Sequence, residues 1–479
     1  MNKKNELLKK FMEYALGSGI VLVLGFISSP LNTRLFTPEE FGKFSLFLLI
    51  ANVINAIVLM GLDQSFVRYF HEEEKSNRGI LLYKNLKIPI LFCLVLCICI
   101  AIVYKKIAYE IFATENLDLL VLLILNNVFM LLNRFGLLVI RMQQKGKLYS
   151  YVQIIQKVSN IILIVVFFMG FKNNFIALVY AFVLSNVIVT IYAMYKEKEF
   201  WMFPNKKIEL KTKDSELIKF GYPLMFTFLI TWLFQSIDRI FIQYFNNYNE
   251  LGLYSAAFSI IALLNAVQGA FTMFWVPVAY EMYNKDEKNI EFFERINKVV
   301  TYLMFLISIL MIMFKDVIIF LLGEKFREAS VIMPFLVFMP LMYTISETTV
   351  LGINFKKKSK YHIVIACSAA LFNIIGNLIL VPVWGAKGAA ISTGISYIVF
   401  FTMRTLISKY LYPVNYSLVR LYIMTSSLIL FALYATFKQM DIWYILLFLG
   451  NLTLLNGMYK EVLVEYVFKK FWNNGSKDK

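Results

Sequence analysis

The chain has 479 residues, of which 59% are apolar, with a mean hydropathy of +0.66 and a formal net charge of +17. Soluble domains have roughly 45–50% apolar residues, so the composition excludes an ordinary soluble domain and indicates an integral membrane protein. The four Cys lie in apolar stretches and the two His have no second ligand at metal spacing. The sequence therefore predicts neither a disulfide framework nor a metal site.

Apolar stretches of membrane-spanning length recur along the chain, separated by short polar segments. A helix needs about 20 apolar residues to cross about 30 Å of hydrocarbon, and these stretches lack the alternation of β-barrel strands. We predict an all-α integral membrane protein with about fourteen transmembrane helices. They cover residues 11–34, 41–62, 85–104, 117–140, 149–170, 174–195, 217–244, 251–280, 295–314, 330–353, 361–382, 386–408, 416–436 and 440–463.

The basic residues indicate the orientation of these helices. With the N-terminus inside, most of the 48 Lys and Arg fall in inner loops, as the positive-inside rule requires. The first apolar stretch is too long for a signal peptide and no small-residue cleavage site follows it, so we predict a retained helix. We therefore expect a multi-pass protein with both termini in the cytoplasm and no binding of nucleic acid.

Two weak internal repeats indicate a duplication. Thr37–Ser45 resembles Asn247–Ser255, and Lys145–Lys147 resembles Lys358–Lys360, at nearly the same separation along the chain. Six helices per repeat is an even number, so the two lobes should share one orientation and face a central cavity. We predict an N-lobe (1–195), an inter-lobe linker (196–216), a C-lobe (217–408), and two further helices with a cytoplasmic tail (409–479).

Charged residues inside the predicted spans are informative because a charge at mid-membrane costs about 2.5–3.5 kcal/mol on insertion scales. Basic side chains outnumber acidic ones there, and the planar guanidinium of Arg suits phosphate because it donates two hydrogen bonds at once. We therefore predict an anionic, phosphorylated substrate. The predicted substrate-binding residues are Arg34, Arg68, Arg134, Lys157 and Arg239.

Four further residues are predicted to couple ions or to gate. Asp238 and Glu347 are the acidic residues that lie well inside the spans, away from the span ends, and Pro30 and Pro223 interrupt the first helix of each lobe. Simpler interpretations stay open: the prolines could be static kinks, Lys157 could snorkel, and Arg34 and Arg68 could be interfacial anchors.

Three segments resemble the Wzx-type oligosaccharide flippases, the polysaccharide export branch of the superfamily that also holds multidrug and toxin exporters and lipid II flippases. They are Arg34–Ser45, Gly61–Tyr69, and Asp238-Arg239 followed by Glu250–Ser255. The resemblance implies transfer of a polyprenyl-pyrophosphate-linked oligosaccharide from the inner to the outer leaflet of a bacterial cytoplasmic membrane. It also implies a MATE-like fold and a cationic cavity that includes Arg34, Arg68 and Arg239. A polymerase and glycosyltransferases are the implied pathway partners.

Alternatives from other classes remain. A cation-coupled multidrug exporter of the same fold should favour acidic cavity residues, and a membrane-embedded polymerase would need a sizeable outer loop. A lipid II flippase differs only in substrate. The sequence has no Walker-type loop, so we expect alternating access without ATP, driven by the membrane potential or by H⁺ or Na⁺, with no enzymatic activity and no cofactor.

Overall fold

The computed structural model describes residues 3–112, 117–202, 210–358 and 360–462. Across these residues the secondary structure is helical, with no β-strand. The chain forms two compact units, Met1–Leu233 and Phe234–Lys479. The boundary lies within a long helix, and the predicted division into lobes and linker stays a prediction.

Among the described residues, nine α-helices begin in the first unit. The short α3 starts where Met60 and Gly61 adopt left-handed backbone conformations, which end the preceding helix and turn the chain. The helices are α1 (Lys3–Leu35), α2 (Pro38–Leu59), α3 (Leu62–Tyr69), α4 (Arg78–Phe112), α5 (Leu117–Met142), α6 (Gly146–Phe171), α7 (Phe175–Lys196), α8 (Lys198–Trp201) and α9 (Asp214–Phe245).

In the second unit, the described residues after α9 form ten α-helices. One of them, α16, is two helices joined at Gly385, whose φ of 54° and ψ of −131° interrupt the helical backbone. The helices are α10 (Tyr248–Lys285), α11 (Ile290–Met313), α12 (Lys315–Ile319), α13 (Met333–Leu336), α14 (Phe338–Thr349), α15 (Leu351–Phe355), α16 (Lys360–Leu411), α17 (Leu418–Phe437), α18 (Ile442–Met458) and α19 (Lys460–Val462).

The described helices confirm an all-α membrane fold. Ten are long and apolar enough to cross a membrane, or eleven if Glu324–Val331 and Met333–Thr349, bent by 58°, form one span. Two predicted spans lie within α16, and α9 and the shorter α18 cover two more. The multi-pass helical architecture is thus confirmed, while the number fourteen stays a prediction.

Both units begin a helix in the same way. Thr37 accepts a hydrogen bond from the backbone N of Glu40 at 3.4 Å, and Asn247 accepts one from the backbone N of Glu250 at 2.9 Å. Ser, Thr, Asp and Asn are the usual N-caps because their side-chain oxygens satisfy free amides of the first helical turn. These caps lie in the two repeated segments, so the structure agrees with the sequence repeat.

Two unusual backbone conformations also recur at equal separation. Gln144 and Lys357 have φ of 57° and 54°, and Lys172 and Gly385 have φ of 53° and 54°. Each pair is separated by 213 positions along the chain. Left-handed residues are uncommon outside Gly, so their coincidence with the repeat supports the predicted duplication of six helices.

Candidate substrate and ion sites

Arg134 is held by a buried carboxylate in the first unit. Asp63, on α3, accepts hydrogen bonds at its Oδ2 atom from Arg134 Nε at 3.0 Å and Nη2 at 2.7 Å. Gln64 donates to the same oxygen at 2.8 Å. The side chain of Asp63 is 4% exposed and that of Arg134 is 43% exposed. One edge of the guanidinium is therefore fixed, and the other part can contact a ligand.

Arg68 and Arg34 both lie in the last turn of a helix. Arg68, on α3, pairs with Glu72 one turn later, and its guanidinium carbon lies 5.6 Å from the ring centroid of Tyr69. Arg34, on α1, is exposed. The structure thus places Arg68 on the same short helix as Asp63, the partner of Arg134. The predicted substrate contacts of Arg34 and Arg68 stay predictions.

Lys157 lies on α6 and is half-buried. Within the described part of the chain it makes no ion pair and no hydrogen bond. Its neighbour Gln156 donates to Asn186 at 2.7 Å, and Asn186 donates to Asn126 at 3.0 Å. These amides are neutral, so none of them neutralises the charge of Lys157.

Asp238 is buried in the second unit and is surrounded by neutral donors. It accepts hydrogen bonds from the Tyr254 hydroxyl at 2.9 Å, from Asn377 Nδ2 at 2.8 Å and from the Thr393 hydroxyl at 2.8 Å. These donors come from α10 and from both halves of α16. The break at Gly385 lets one long helical segment contribute from two sides, so Asp238 links three packed segments.

More oxygen atoms surround this carboxylate. Asn377 Nδ2 also lies 2.8 Å from Asn373 Oδ1 and 3.2 Å from the hydroxyl of Ser392. The Oδ1 atom of Asn377 has no hydrogen-bond partner among the described residues. If the side-chain amide of Asn377 rotated by 180°, its Oδ1 would replace its Nδ2 beside Asp238. The oxygens of Asn377 and Asp238 could then bind a hard cation.

Arg239 follows Asp238 but does not pair with it. Neighbouring residues on a helix point about 100° apart, and the guanidinium carbon of Arg239 lies 4.7 Å from the ring centroid of Phe258. Arg239 is partly buried and makes no ion pair or hydrogen bond with any described residue. No carboxylate of the described residues is therefore in direct contact with its guanidinium.

Glu347 is paired with an arginine that the sequence analysis did not identify. Arg404 Nη1 donates to Glu347 Oε1 at 2.9 Å and to the Ser346 hydroxyl at 2.6 Å, and both charged side chains are less than 10% exposed. The rings of Tyr343 and Phe400 lie 5.3 and 5.0 Å from the guanidinium carbon. Arg404 lies near the end of the predicted span 386–408. Because a buried carboxylate needs a cationic partner, the position of Glu347 inside a span was itself a signal that a basic residue lies nearby.

Pro30 and Pro223 lie inside α1 and α9, and both helices continue past them. Pro223 is exposed and follows Gly221, which makes a close backbone contact with Gly61 within the first unit. The predicted gating by both prolines stays a prediction. Among the described residues no group of three His, Cys, Asp or Glu could hold a metal ion.

Comparison with known proteins places the chain in a family. The profile of the polysaccharide biosynthesis protein family matches residues 7–283. "Lsg locus putative protein 1" of Haemophilus influenzae is 21% identical over 321 residues, covering 65% of this chain and 76% of the relative. An uncharacterized membrane protein of Methanocaldococcus jannaschii is 22% identical, covering 78% of this chain and 80% of the relative.

Solved structures share the fold. A lipid II flippase, MurJ, in an inward closed conformation has a TM-score of 0.70 at 15% identity, covering 95% of this chain and 99% of that one. An inward-facing MATE multidrug resistance transporter has a TM-score of 0.59 at 15% identity, covering 83% and 93%. These likenesses confirm the predicted MATE-like fold. The chain is a multi-pass membrane protein that belongs to the polysaccharide biosynthesis protein family.

Proposed function

We propose that the protein is a flippase that moves polyprenyl-pyrophosphate-linked oligosaccharides from the inner to the outer leaflet of the bacterial cytoplasmic membrane. Arg239 carries the proposal, because its partly buried guanidinium makes no ion pair and no hydrogen bond with a described residue. Keeping such a charge unpaired within a membrane helix is unfavourable unless a ligand or water meets it. A diphosphate supplies the complementary charge and geometry.

The remaining cations support an anionic substrate to different degrees. Lys157, like Arg239, has no neutralising partner in the described structure, whereas Arg134 has Asp63 and Arg68 has Glu72. We assign Arg239 and Lys157 to direct charge contact with the diphosphate. Arg134 contributes the exposed part of its guanidinium, and Arg34 and Arg68 attract the headgroup near helix ends.

The energy for transfer follows from the charge of the substrate. Moving a negative charge outward across a membrane that is negative inside is downhill by about 2.3 kcal/mol per charge per 100 mV. The headgroup crosses by alternating access while the polyprenyl tail stays in lipid. Removal of product by a polymerase in the outer leaflet would pull in the same direction.

We further propose Asp238 as the coupling-ion site, with Na⁺ as the ion. Its carboxylate accepts three hydrogen bonds from neutral groups and makes no ion pair with a described residue, so a bound cation would supply the counter-charge. Rotation of the Asn377 amide would replace a donor by an oxygen ligand, and oxygen ligands suit a hard cation. Glu347 is paired with Arg404, so we assign it to gating through that pair rather than to ion binding.

The alternatives explain fewer of these observations. A multidrug exporter for cations needs free acids, yet Glu347 is paired with Arg404, and the only other acid well inside a span, Asp238, is assigned to the coupling ion. A lipid II flippase would use the same anion-binding chemistry, so the substrate alone separates it from the proposed function. A polymerase lacks support from the fold, which is shared with transporters.

A complementation experiment tests the proposal. In a strain that lacks this gene, Arg239→Ala should abolish surface polysaccharide and accumulate lipid-linked oligosaccharide, with normal amounts of protein in the membrane. Arg239→Lys should restore export partly, because Lys keeps the charge but not the planar fork. The matched control is Arg327→Ala, since Arg327 also lies over an aromatic ring, at 4.3 Å, but in a predicted outer loop. Normal polysaccharide with Arg239→Ala would contradict the proposal.

A further inference from the structure

The short helix α3 contacts two elements that the proposed function uses. One residue of α3, Asp63, holds Arg134, and other residues of the same helix hold the beginning of α9. All of these residues belong to the first unit. Because α3 has only eight residues, about two helical turns, a movement of the helix at Asp63 also moves the residues of α3 that contact α9.

The contact between α3 and α9 depends on two glycines. A Cβ atom on Gly61 would lie 2.1 Å from the carbonyl oxygen of Gly221, and a Cβ atom on Gly221 would lie 2.9 Å from Gly61. Ser65 donates a hydrogen bond to the carbonyl oxygen of Leu217 at 2.7 Å. The two backbones therefore touch at a place where no larger residue fits.

Side chains extend this contact along the beginning of α9. The rings of Tyr69 and Phe220 meet edge to face at 6.0 Å, and Lys84 pairs with Asp214 at 2.7 Å. Thr212 lies just before α9, and its backbone N donates a hydrogen bond at 2.9 Å to the buried side chain of Glu73. We call this set of contacts, from Thr212 to Gly221, the α9 clamp. It ends two residues before Pro223.

The first turn of α3 also carries an ion pair that an anionic ligand can disturb. Arg134 uses Nε and Nη2 to bind one oxygen of Asp63, so a diphosphate that binds the exposed part of the guanidinium competes with Asp63 for its charge. A buried carboxylate that loses its counter-charge is strongly unfavourable. This free-energy cost is lowered if α3 moves and exposes the carboxylate of Asp63 to water.

We propose that Asp63 is a positioning residue that links anion binding at Arg134 to opening of the α9 clamp. A diphosphate draws the guanidinium of Arg134 away from Asp63, α3 shifts, and the beginning of α9 is released next to Pro223. This inference rests on the proposed function, because it takes Arg134 as part of the substrate site. Beyond the proposed function, it identifies the contact between α3 and α9 as the route by which substrate binding acts on the first helix of the second repeat.

Cross-linking of the clamp tests the link. The full chain carries Tyr69→Cys and Phe220→Cys, with the four native cysteines replaced by Ala, and is held in lipid nanodiscs with a short thiol-specific cross-linker. Inorganic pyrophosphate should lower the cross-linking yield about fivefold, at the lower end of typical coupling between sites. Sulfate at equal ionic strength should leave the cross-linking yield unchanged. Arg134→Ala and Asp63→Asn should each remove the response, and Asp63→Glu should restore part of it.

Binding of pyrophosphate is measured in parallel by its effect on thermal unfolding. If pyrophosphate binds and the yield does not change, the link through Asp63 is wrong and the proposed function stands. If pyrophosphate does not bind to the chain without substitutions at Arg134 or Asp63, the anion site and the link both fail. A response that persists in Asp63→Asn also overturns the inference, because Asn has nearly the same shape and lacks only the charge.

Discussion

Glu40 and Glu250 make the same contact in the two units. Glu40 Oε2 accepts a hydrogen bond at 2.6 Å from the backbone N of Phe175, which begins α7. Glu250 Oε2 accepts one at 2.9 Å from the backbone N of Ala386, just after the break in α16. Each carboxylate thus satisfies a free amide at the start of another helix, where negative charge is also favoured by the helix dipole.

We expect Glu40→Ala and Glu250→Ala each to lower the free energy of unfolding by about 1.5 kcal/mol, as for a hydrogen bond to a charged group. Glu→Gln should lower it less, since the amide oxygen still accepts. The measurement is thermal unfolding of purified protein in detergent. Glu39→Ala is the matched control, because the side chain of Glu39 is 57% exposed. Equal stability of Glu40→Ala and Glu39→Ala would show that the contact does not stabilise the fold.

The buried pair of Glu347 and Arg404 leads to a second prediction. Arg404→Ala should lower the free energy of unfolding by about 3–5 kcal/mol, because it leaves a carboxylate buried without a counter-charge. The double variant Glu347→Leu with Arg404→Met should recover most of that loss, since apolar residues of similar volume replace such pairs at little cost. The measurement is the free energy of unfolding of both variants, taken from their unfolding curves. A double variant as unstable as the single one would contradict this explanation.

Asp238 provides a third prediction, on ion coupling. Na⁺ should raise the thermal unfolding midpoint of the protein, because a ligand that binds the folded state stabilises it, whereas K⁺ at equal concentration should have a smaller effect. Asp238→Asn should abolish the Na⁺ effect, since the amide brings no charge. An unchanged response in Asp238→Asn would exclude this carboxylate as the site. The same stabilisation by K⁺ would indicate a general effect of salt.

A fourth prediction concerns pH. Glu287, outside the membrane-spanning helices, accepts hydrogen bonds from Lys356 at 2.6 Å and from Tyr283 at 2.6 Å. The bond from Lys356 lowers the pKa of the Glu287 carboxyl below its ordinary value. A lowered carboxyl pKa contributes stability above the ordinary pKa, and this contribution is lost as the pH falls through the lowered pKa.

Lys356→Met should therefore be less stable than the unsubstituted protein at neutral pH, and the difference should close as the pH falls below about 4, where carboxyls become protonated. Melting midpoints across this range provide the measurement. Lys357→Met is the matched control, because Lys357 makes no ion pair among the described residues. A difference that stays constant in acid would show that Lys356 acts through packing instead of through Glu287.

The sequence was sufficient to predict the helical membrane fold and the internal repeat, because both depend on local signals. Apolar length predicts a spanning helix, and the caps at Thr37 and Asn247 are set by residues within one helical turn. The segments that carry them keep enough similarity to reveal the duplication.

The partners of the charged residues could not be predicted, because they lie far apart in the sequence. Asp63 lies 71 positions from Arg134, and Arg404 lies 57 positions from Glu347. Asp238 is surrounded by a tyrosine, an asparagine and a threonine, residue types that give no charge signal in a span. Tertiary packing alone showed that Arg239 differs from Arg134 and Arg404 in having no carboxylate partner.

The central claim is that Arg239 binds the diphosphate of the substrate during transfer. It is tested most directly by flipping of a fluorescent polyprenyl-pyrophosphate-linked oligosaccharide in proteoliposomes that contain the purified full chain. We expect flipping with the unsubstituted protein and with Arg327→Ala, and a loss of about a hundredfold with Arg239→Ala, the upper range for removing one charge-assisted contact of about 3 kcal/mol. Flipping by Arg239→Ala at the unsubstituted rate would contradict the claim.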